Sequence, residues 1–102
     1  MEALKEGQEE RIIREVSRSL DRELERDSLL RESLMDEEDR DHVVRIGTSI
    51  LFTKWGIGYP GGSFVRSIVD NDLMGAFSRA DHINRHAIGF YCSLLYNTGY
   101  IG

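Results

Sequence analysis

The sequence predicts an all-α protein, a small helical domain of about three to four helices with a charged helical arm at its N terminus. Two observations lead to this class. Apolar residues recur at steps of three and four in both halves of the chain, which is the spacing of one helix face. The only dense cluster of glycine and proline, residues 56–64, holds 4 of the 10 glycines and the single proline, and it separates two such segments.

Charge divides the 102 residues into two parts. Residues 1–41 hold 15 of the 18 acidic and 8 of the 13 basic residues, a net charge of −7, whereas residues 42–102 have a net charge of +2 and most of the apolar residues. We therefore expect a charged helical arm, residues 1–41, and a helical core domain, residues 42–102. A core of about 60 residues buries only about 60% of its unfolded surface, so we expect a homo-oligomer.

The arm consists of strong helix formers from Met1 to about Arg26. A narrow apolar stripe repeats there at helical spacing, but Glu23 and Asp27 interrupt it, so a sustained coiled coil is not expected. The stripe consists of Ile13, Val16, Leu20 and Leu24. Such a stripe on a charged helix is typical of a helix that docks on a core or pairs with a second copy.

Four arginines of the arm lie four residues apart and line one helix face. They are Arg14, Arg18, Arg22 and Arg26. They form either a basic strip for an acidic partner or a solvated face balanced by neighbouring acids, and we favour the solvated face. The acidic run 36–41 is expected to end the arm, with Asp41 as the cap of the next helix.

Residues 42–55 contain β-branched and aromatic side chains that suit a buried strand. Their apolar residues also form two helical rows, and Gly56 is well placed as a helix C-cap, so a helix is predicted from His42 to Trp55. After the glycine cluster, Ser63 is expected to cap the next helix, whose apolar face begins with Phe64 and Val65.

The last part of the chain is predicted to be one long helix. After the polar break at 70–72, apolar residues keep a helical period from Leu73 to Leu95, and residues 97–99 end it. Gly75 and Gly89 weaken this helix by about 1 kcal/mol each relative to alanine. We expect these glycines to allow close approach of a neighbouring helix.

The glycine cluster that leads into a helix N terminus is the best candidate for a ligand site. Unpaired backbone N–H groups there favour an anion such as phosphate, and Gly61 and Gly62 would let a ligand approach the backbone. The absence of a Gly-Lys-Ser/Thr motif excludes a nucleotide-hydrolysing P-loop, and no strand–helix–strand unit surrounds the glycines. The alternative is a tight turn between helices that needs glycine for its dihedral angles and Pro60 for rigidity.

The candidate ligand-binding residues supply stacking surface, positive charge and backbone donors. They are Tyr59, Gly61, Gly62, Ser63, Phe64, Arg66, Arg79 and Asn84. The last two belong to a polar group that also contains Asp81. This group either ties neighbouring helices together, which we favour, or contributes Arg79 and Asn84 to the ligand site.

Catalytic and metal-binding signals are weak. His82 and His86 have the four-residue spacing of a metal-binding pair, but neither Asp81 nor Cys92 is expected to share their face, so no metal is predicted. Ser63 lacks the Gly-x-Ser-x-Gly turn of a nucleophilic serine, and Cys92 falls in an apolar helical turn. We therefore expect no enzymatic activity and no cofactor.

The single cysteine allows no intrachain disulfide and suits a reducing compartment. Met1 is followed by acidic residues rather than by a signal peptide, and no apolar run approaches the roughly 18 residues of a membrane span. With a net charge of −5, neither a membrane nor nucleic acid is an expected partner. We expect a soluble cytoplasmic protein.

Four short motifs carry a resemblance to a known family. They are Tyr59-Pro60-Gly61-Gly62-Ser63-Phe64, Asn71-Asp72-Leu73, Arg79-Ala80-Asp81 followed by Asn84, and Leu95-Tyr96-Asn97. Over about residues 44–97 the chain resembles small proteins encoded by phages and prophages, a family that supplies no activity to carry over. The resemblance leaves out the charged arm. It implies a viral accessory protein that acts in the host cytoplasm.

Together these features predict a non-enzymatic phage protein that acts by binding. The sharper hypothesis is that it sequesters a nucleotide-derived signal of host antiphage defence, so the expected partners are a second copy of itself and a small anionic, nucleotide-like ligand. The alternative is a protein-binding inhibitor of a host system, or a virion or assembly component, that uses the charged N-terminal helix to bind a host protein.

Overall fold

The computed structural model describes residues 2–102, which form six α-helices and no β-strand. The helices are α1 (Gln8–Arg26), α2 (Ser28–Ser33), α3 (Glu37–Trp55), α4 (Ser63–Val69), α5 (Leu73–Arg79) and α6 (His82–Asn97). The all-α class is confirmed. The predicted number of helices is wrong, because capped breaks divide both the arm and the long C-terminal segment. None of the helices in residues 2–102 has the length and apolar character needed to cross a membrane.

The start of the arm is not helical. The backbone of Glu2 forms hydrogen bonds with the loop after α3: its N–H donates to the Gly56 carbonyl and its carbonyl accepts from the Gly58 N–H, both at 2.9 Å. Gly7 has a φ of 75° and turns the chain into α1 at Gln8. Pairing with the loop therefore overrides the helix propensity of these residues, and Met1, where the predicted helix starts, lies outside the described residues.

The centre of the fold is α3, which packs against α1, α4 and α6. Its buried residues are Val43, Gly47, Thr48, Ile50 and Leu51. The predicted helix and its C-cap are both present, since Gly56 adopts the left-handed conformation with a φ of 69°. The helix begins earlier than expected, at Glu37, because Asp36 rather than Asp41 takes the extended conformation of an N-cap.

The charged arm belongs to the same hydrophobic core as the rest of the chain. Its buried apolar residues are Ile12, Val16 and Leu20 of α1, Leu30 of α2 and Leu34 directly after it. The Cα radius of gyration is 12.9 Å, and a compact domain of about 100 residues has about 13 Å. The change in charge at residue 41 therefore does not separate two cores.

The apolar stripe on α1 has Val16 and Leu20 buried as predicted but differs from the prediction at its first member. Ile12 is fully buried where the stripe was expected to start with Ile13, and Ile13 is instead 39% exposed. Leu24, the last predicted member, is only partly buried. Docking on the core thus accounts for the stripe, and Ile13 remains on the outer face of the helix.

The long C-terminal helix predicted from Leu73 to Leu95 is divided in two. Ala80 has extended backbone, and the Asp81 carboxylate accepts a hydrogen bond of 2.6 Å from the Asn84 N–H, which caps α6. An aspartate cap offers the backbone an alternative to helix continuation. As a result α5 does not continue the apolar face of α6, and Leu73 and Phe77 are 43% and 48% exposed.

The close helix approach occurs at Gly47 and not at the predicted glycines. A Cβ at position 47 would lie 2.8 Å from Val16 Cγ1 and 3.0 Å from Leu94 Cδ2, so α1 and α6 both pack directly on this point of α3. A Cβ at Gly89 would meet nothing within 4 Å, and one at Gly75 would meet the side chains of its own helix end. Gly47 therefore sets the spacing of the three long helices.

This difference predicts opposite effects for the same substitution at two helical positions. Gly89→Ala should raise the free energy of unfolding by up to about 1 kcal/mol, because alanine is the better helix former and has room. Gly47→Ala should lower it by about 1–2 kcal/mol, since overpacking outweighs that gain. Urea denaturation of both variants measures the difference, and stabilisation by Gly47→Ala would contradict the proposed packing.

Candidate functional site

A polar cavity of about 370 Å³ lies between α4 and α5. Its lining residues are Gly62, Ser63, Arg66, Ser67, Asp70, Asp72 and Arg79. It is therefore bordered by four of the eight predicted ligand-binding residues. It is open to solvent, and all of its lining residues except Ser67 are exposed. We call it the α4–α5 cavity.

Arg79 connects α5 to α4 along one wall of the α4–α5 cavity. Its guanidinium donates a hydrogen bond of 2.8 Å to Ser67 Oγ and lies 3.5 Å from the carboxylate of Asp72. Asp72 also caps α5 by accepting a hydrogen bond of 2.9 Å from the Gly75 N–H. Ser67 Oγ in turn donates to the Ser63 carbonyl at 2.9 Å. These bonds fix the angle between the two short helices.

The remaining polar side chains of the cavity keep hydrogen-bonding capacity. Arg66 uses only Nε, which donates to the Gly61 carbonyl at 3.2 Å, and its two terminal nitrogens form no hydrogen bond within residues 2–102. The Ser63 hydroxyl and the Asp70 carboxylate likewise have no partner among these residues. The cavity thus offers a free guanidinium edge, a hydroxyl and a free carboxylate to a ligand.

The two adjacent glycines of the loop have different surroundings. The Gly61 N–H donates to Thr53 Oγ1 at 2.8 Å, and a Cβ at this position would collide with the Val65 side chain and lie 2.7 Å from Ser49 Oγ. Gly61 therefore serves the packing of α4 on α3. A Cβ at Gly62 would meet nothing within 4 Å, so only Gly62 leaves open space at the cavity.

Besides Gly61, three further predicted ligand-binding residues do not border the α4–α5 cavity. Tyr59 is 90% exposed and borders a separate cavity with Leu4 and Phe52. Phe64 is buried, and its ring lies edge-on to Tyr91 with 5.8 Å between ring centroids. Asn84 is only 5% exposed, and its Oδ1 accepts a hydrogen bond of 2.6 Å from the Tyr91 hydroxyl. Phe64 and Asn84 therefore belong to the core.

The polar group around Asp81 connects α6 to α3. One carboxylate oxygen of Asp81 caps α6, and the other lies 3.1 Å from His42 Nε2 near the start of α3. Asn84 continues this connection into the core through the Tyr91 hydroxyl. This arrangement agrees with the structural interpretation of the Asp81 and Asn84 pair, since neither side chain borders the cavity.

Other reactive groups lie apart from the cavity. The rings of His82 and His86 pack edge to face with centroids 5.0 Å apart, and residues 2–102 contain no group of three or more histidine, cysteine, aspartate or glutamate side chains arranged to hold a metal. Burial raises the pKa of the half-buried Cys92 thiol. A protonated thiol is a poor nucleophile at neutral pH.

Sequence reasoning missed three lining residues of the cavity, Ser67, Asp70 and Asp72. One signal was present: Ser67 follows Ser63 by four residues, which places both on one face of a helix. Comparison with protein-family models, curated proteins and solved structures gives no match.

The buried Tyr91 hydroxyl predicts a loss of stability at high pH. Burial and the nearby Asp81 charge raise its pKa, so the folded protein keeps this proton where the unfolded chain, with a tyrosine pKa of about 10, loses it. The protonated Tyr91 hydroxyl contributes its full stabilisation below about pH 10. As the pH rises further, the free energy of unfolding falls by at most about 1.4 kcal/mol per pH unit.

Tyr91→Phe tests this contribution. At pH 8 the variant should be less stable than wild type by about 1–2 kcal/mol, because Asn84 Oδ1 loses its buried donor. The stability gap should narrow above about pH 10, since all other ionisations are common to both proteins. Urea denaturation at several pH values measures the gap. A gap that stays constant up to about pH 11 would contradict the assignment.

Proposed function

We propose that the protein is a phage-encoded, non-enzymatic accessory protein that binds and sequesters a nucleotide-derived signal of host antiphage defence in the host cytoplasm. The α4–α5 cavity is the proposed binding site. The observation that supports it is the presence of a free guanidinium edge on Arg66 and a free carboxylate on Asp70 in the same cavity.

A nucleotide presents both kinds of group that such a cavity can bind. Its phosphate is an acceptor for the guanidinium of Arg66, a charge-assisted pairing with fixed geometry. Its ribose hydroxyls and base amino groups are donors, for which the Asp70 carboxylate is an acceptor. A bare anion would use Arg66 and the Ser63 hydroxyl but would leave the Asp70 carboxylate without a donor. The mixture of charges therefore favours a nucleotide-like ligand over inorganic phosphate.

The hydrogen bonds of the lining hydroxyls also support a binding role. A serine nucleophile requires an adjacent base that accepts its proton. Ser67 Oγ instead donates to the Ser63 carbonyl and accepts from Arg79. Ser63 shares the cavity with Arg66 and Asp70, and no histidine borders it. The arrangement supports ligand recognition rather than covalent chemistry.

Isothermal titration calorimetry with cyclic mononucleotides, cyclic dinucleotides and inorganic phosphate tests the proposal. At least one nucleotide should bind, and more tightly than phosphate. Arg66→Gln should weaken its binding about 10- to 100-fold, because a hydrogen bond to a charged group contributes about 1.5–3 kcal/mol. Arg85→Gln is the matched control: Arg85 is an exposed arginine of α6 that does not border the cavity.

Gly62→Val provides an independent steric test of the same site. The new side chain has open space around its Cβ, so it should occupy the cavity mouth and weaken binding without unfolding α4. Circular dichroism and thermal denaturation verify that the variant is folded. If a nucleotide binds both Arg66→Gln and Gly62→Val as tightly as wild type, the site is wrong. If no nucleotide binds wild type, the proposed function is wrong.

A second candidate function is protein binding, as an inhibitor of a host system or a virion or assembly component. It is favoured by the exposed apolar face of α5, where Leu73, Met74 and Phe77 are 43%, 86% and 48% exposed. The charged N-terminal helix is suited to this role only through its outer face, because Ile12 and Val16 are buried. Deleting α1 would expose the hydrophobic core. Phe77→Ser changes only the exposed apolar face of α5, so it is the more informative variant for a partner-binding assay.

A further inference from the structure

An apolar groove of about 250 Å³ runs between α1 and α3 on the surface of the protein. Val44, Thr48 and Phe52 of α3 form its floor, and Ile13 of α1 lies along its edge. Ile13 is 39% exposed although it lies in the middle of a 19-residue helix. The α1–α3 groove shares no lining residue with the α4–α5 cavity.

The groove continues along the surface at both ends. Glu9 and Phe52 also border the neighbouring cavity that contains Tyr59, and Ile13 borders a shallow cavity further along α1. The apolar surface therefore continues from the groove towards Leu4, Tyr59 and Pro60, whereas the residues beyond Ile13 along α1 are charged or polar.

The two sides of the groove carry opposite charges. Glu9 lies on the α1 side and Arg45 on the α3 side, and both are exposed. Neither side chain forms an ion pair or hydrogen bond with another residue in the 2–102 range. In a two-fold symmetric interface, any contact between residue i and residue j occurs twice, once in each direction. Because the same groove has one acidic and one basic side, Glu9 of each copy can face Arg45 of the other copy.

We propose that the α1–α3 groove is the interface of a symmetric dimer and that its occupant is a second copy of this chain. Ile13 of each copy enters the groove of the other, between Val44 and Phe52. Glu9 of each copy pairs with Arg45 of the other. The two copies of α1 and α3 then form a four-helix layer, in which apolar residues are buried at the centre and the ion pairs lie at the rim.

A second copy fits the groove because this one face supplies every group that the interface needs. Ile13 is the apolar side chain that enters the groove, and Val44 and Phe52 receive it. Glu9 and Arg45 are the two members of the ion pair. A different protein would have to provide a matching acid, base and apolar side chain independently. The charge pattern therefore favours a second copy of this chain as the occupant.

Mixing two charge variants tests the interface. Glu9→Arg gives a chain whose groove has two positive sides, and Arg45→Glu gives one with two negative sides. Each variant alone should dimerise at least tenfold more weakly than wild type, because both ion pairs are replaced by like charges. An equimolar mixture should form heterodimers with an affinity near that of wild-type dimers, since both contacts are then complementary. Native mass spectrometry resolves the three dimer masses.

An uncharged contact provides a second test. Ile13→Lys should also raise the dimer dissociation constant at least tenfold, because it places a charge in the apolar groove. Leu29→Lys is the control, since Leu29 is a 76% exposed apolar residue of α2 outside the groove. Both positions are solvent-exposed, so both variants should keep the wild-type circular dichroism spectrum.

Three results would overturn the proposal. Wild-type protein that remains monomeric at tens of micromolar has no such dimer. Charge variants that dimerise as wild type does alone, or that do not form heterodimers when mixed, exclude the Glu9–Arg45 contact. Dimers that are dissociated by Phe77→Ser on α5 but not by Ile13→Lys assign self-association to the other exposed apolar face.

Discussion

The fold depends on the absence of a side chain at one position of its central helix. At Gly47, α1 and α6 both come within contact of the α3 backbone, with Val16 and Leu94 closing over the same point. A side chain there would push apart the three longest helices, so the hydrophobic core requires this glycine. The C-terminal end of α3 then determines where the loop starts, and Gly61, packed against Val65 and Ser49, places α4 on the same helix.

From this centre the molecule presents two surfaces of different character. The two short helices α4 and α5 border an open polar cavity. Arg79, Ser67 and Asp72 are bonded to one another at its wall, and its free groups are those of Arg66, Ser63 and Asp70. The two long helices α1 and α3 form an apolar groove with charged sides. Because the surfaces share no lining residue, substitutions that test the proposed ligand site leave the proposed dimer interface intact, and the reverse also holds.

The sequence was sufficient for the all-α class, for α3 and for its C-cap at Gly56, since each depends on local pattern and backbone preference. The break at Ala80 and Asp81 was missed because a capping aspartate looks like any polar surface residue in a helical repeat. Phe64 was expected on the apolar face of its helix and Asn84 was favoured as a residue that ties helices together, but the sequence did not show that neither side chain borders the cavity. The rotation of α4 and α6 depends on tertiary contacts with α3 and Tyr91, which a single sequence does not show.

The central claim is that the protein sequesters a nucleotide-like ligand in the α4–α5 cavity. The most direct measurement is native mass spectrometry of the protein purified from phage-infected cells, followed by denaturation to release and identify any bound molecule. Sequestration in this cavity should give a stoichiometric, nucleotide-like mass that is present on the wild-type protein and lost from Arg66→Gln. A wild-type protein that carries no ligand, and whose mass stays unchanged when cyclic nucleotides are added, would contradict it.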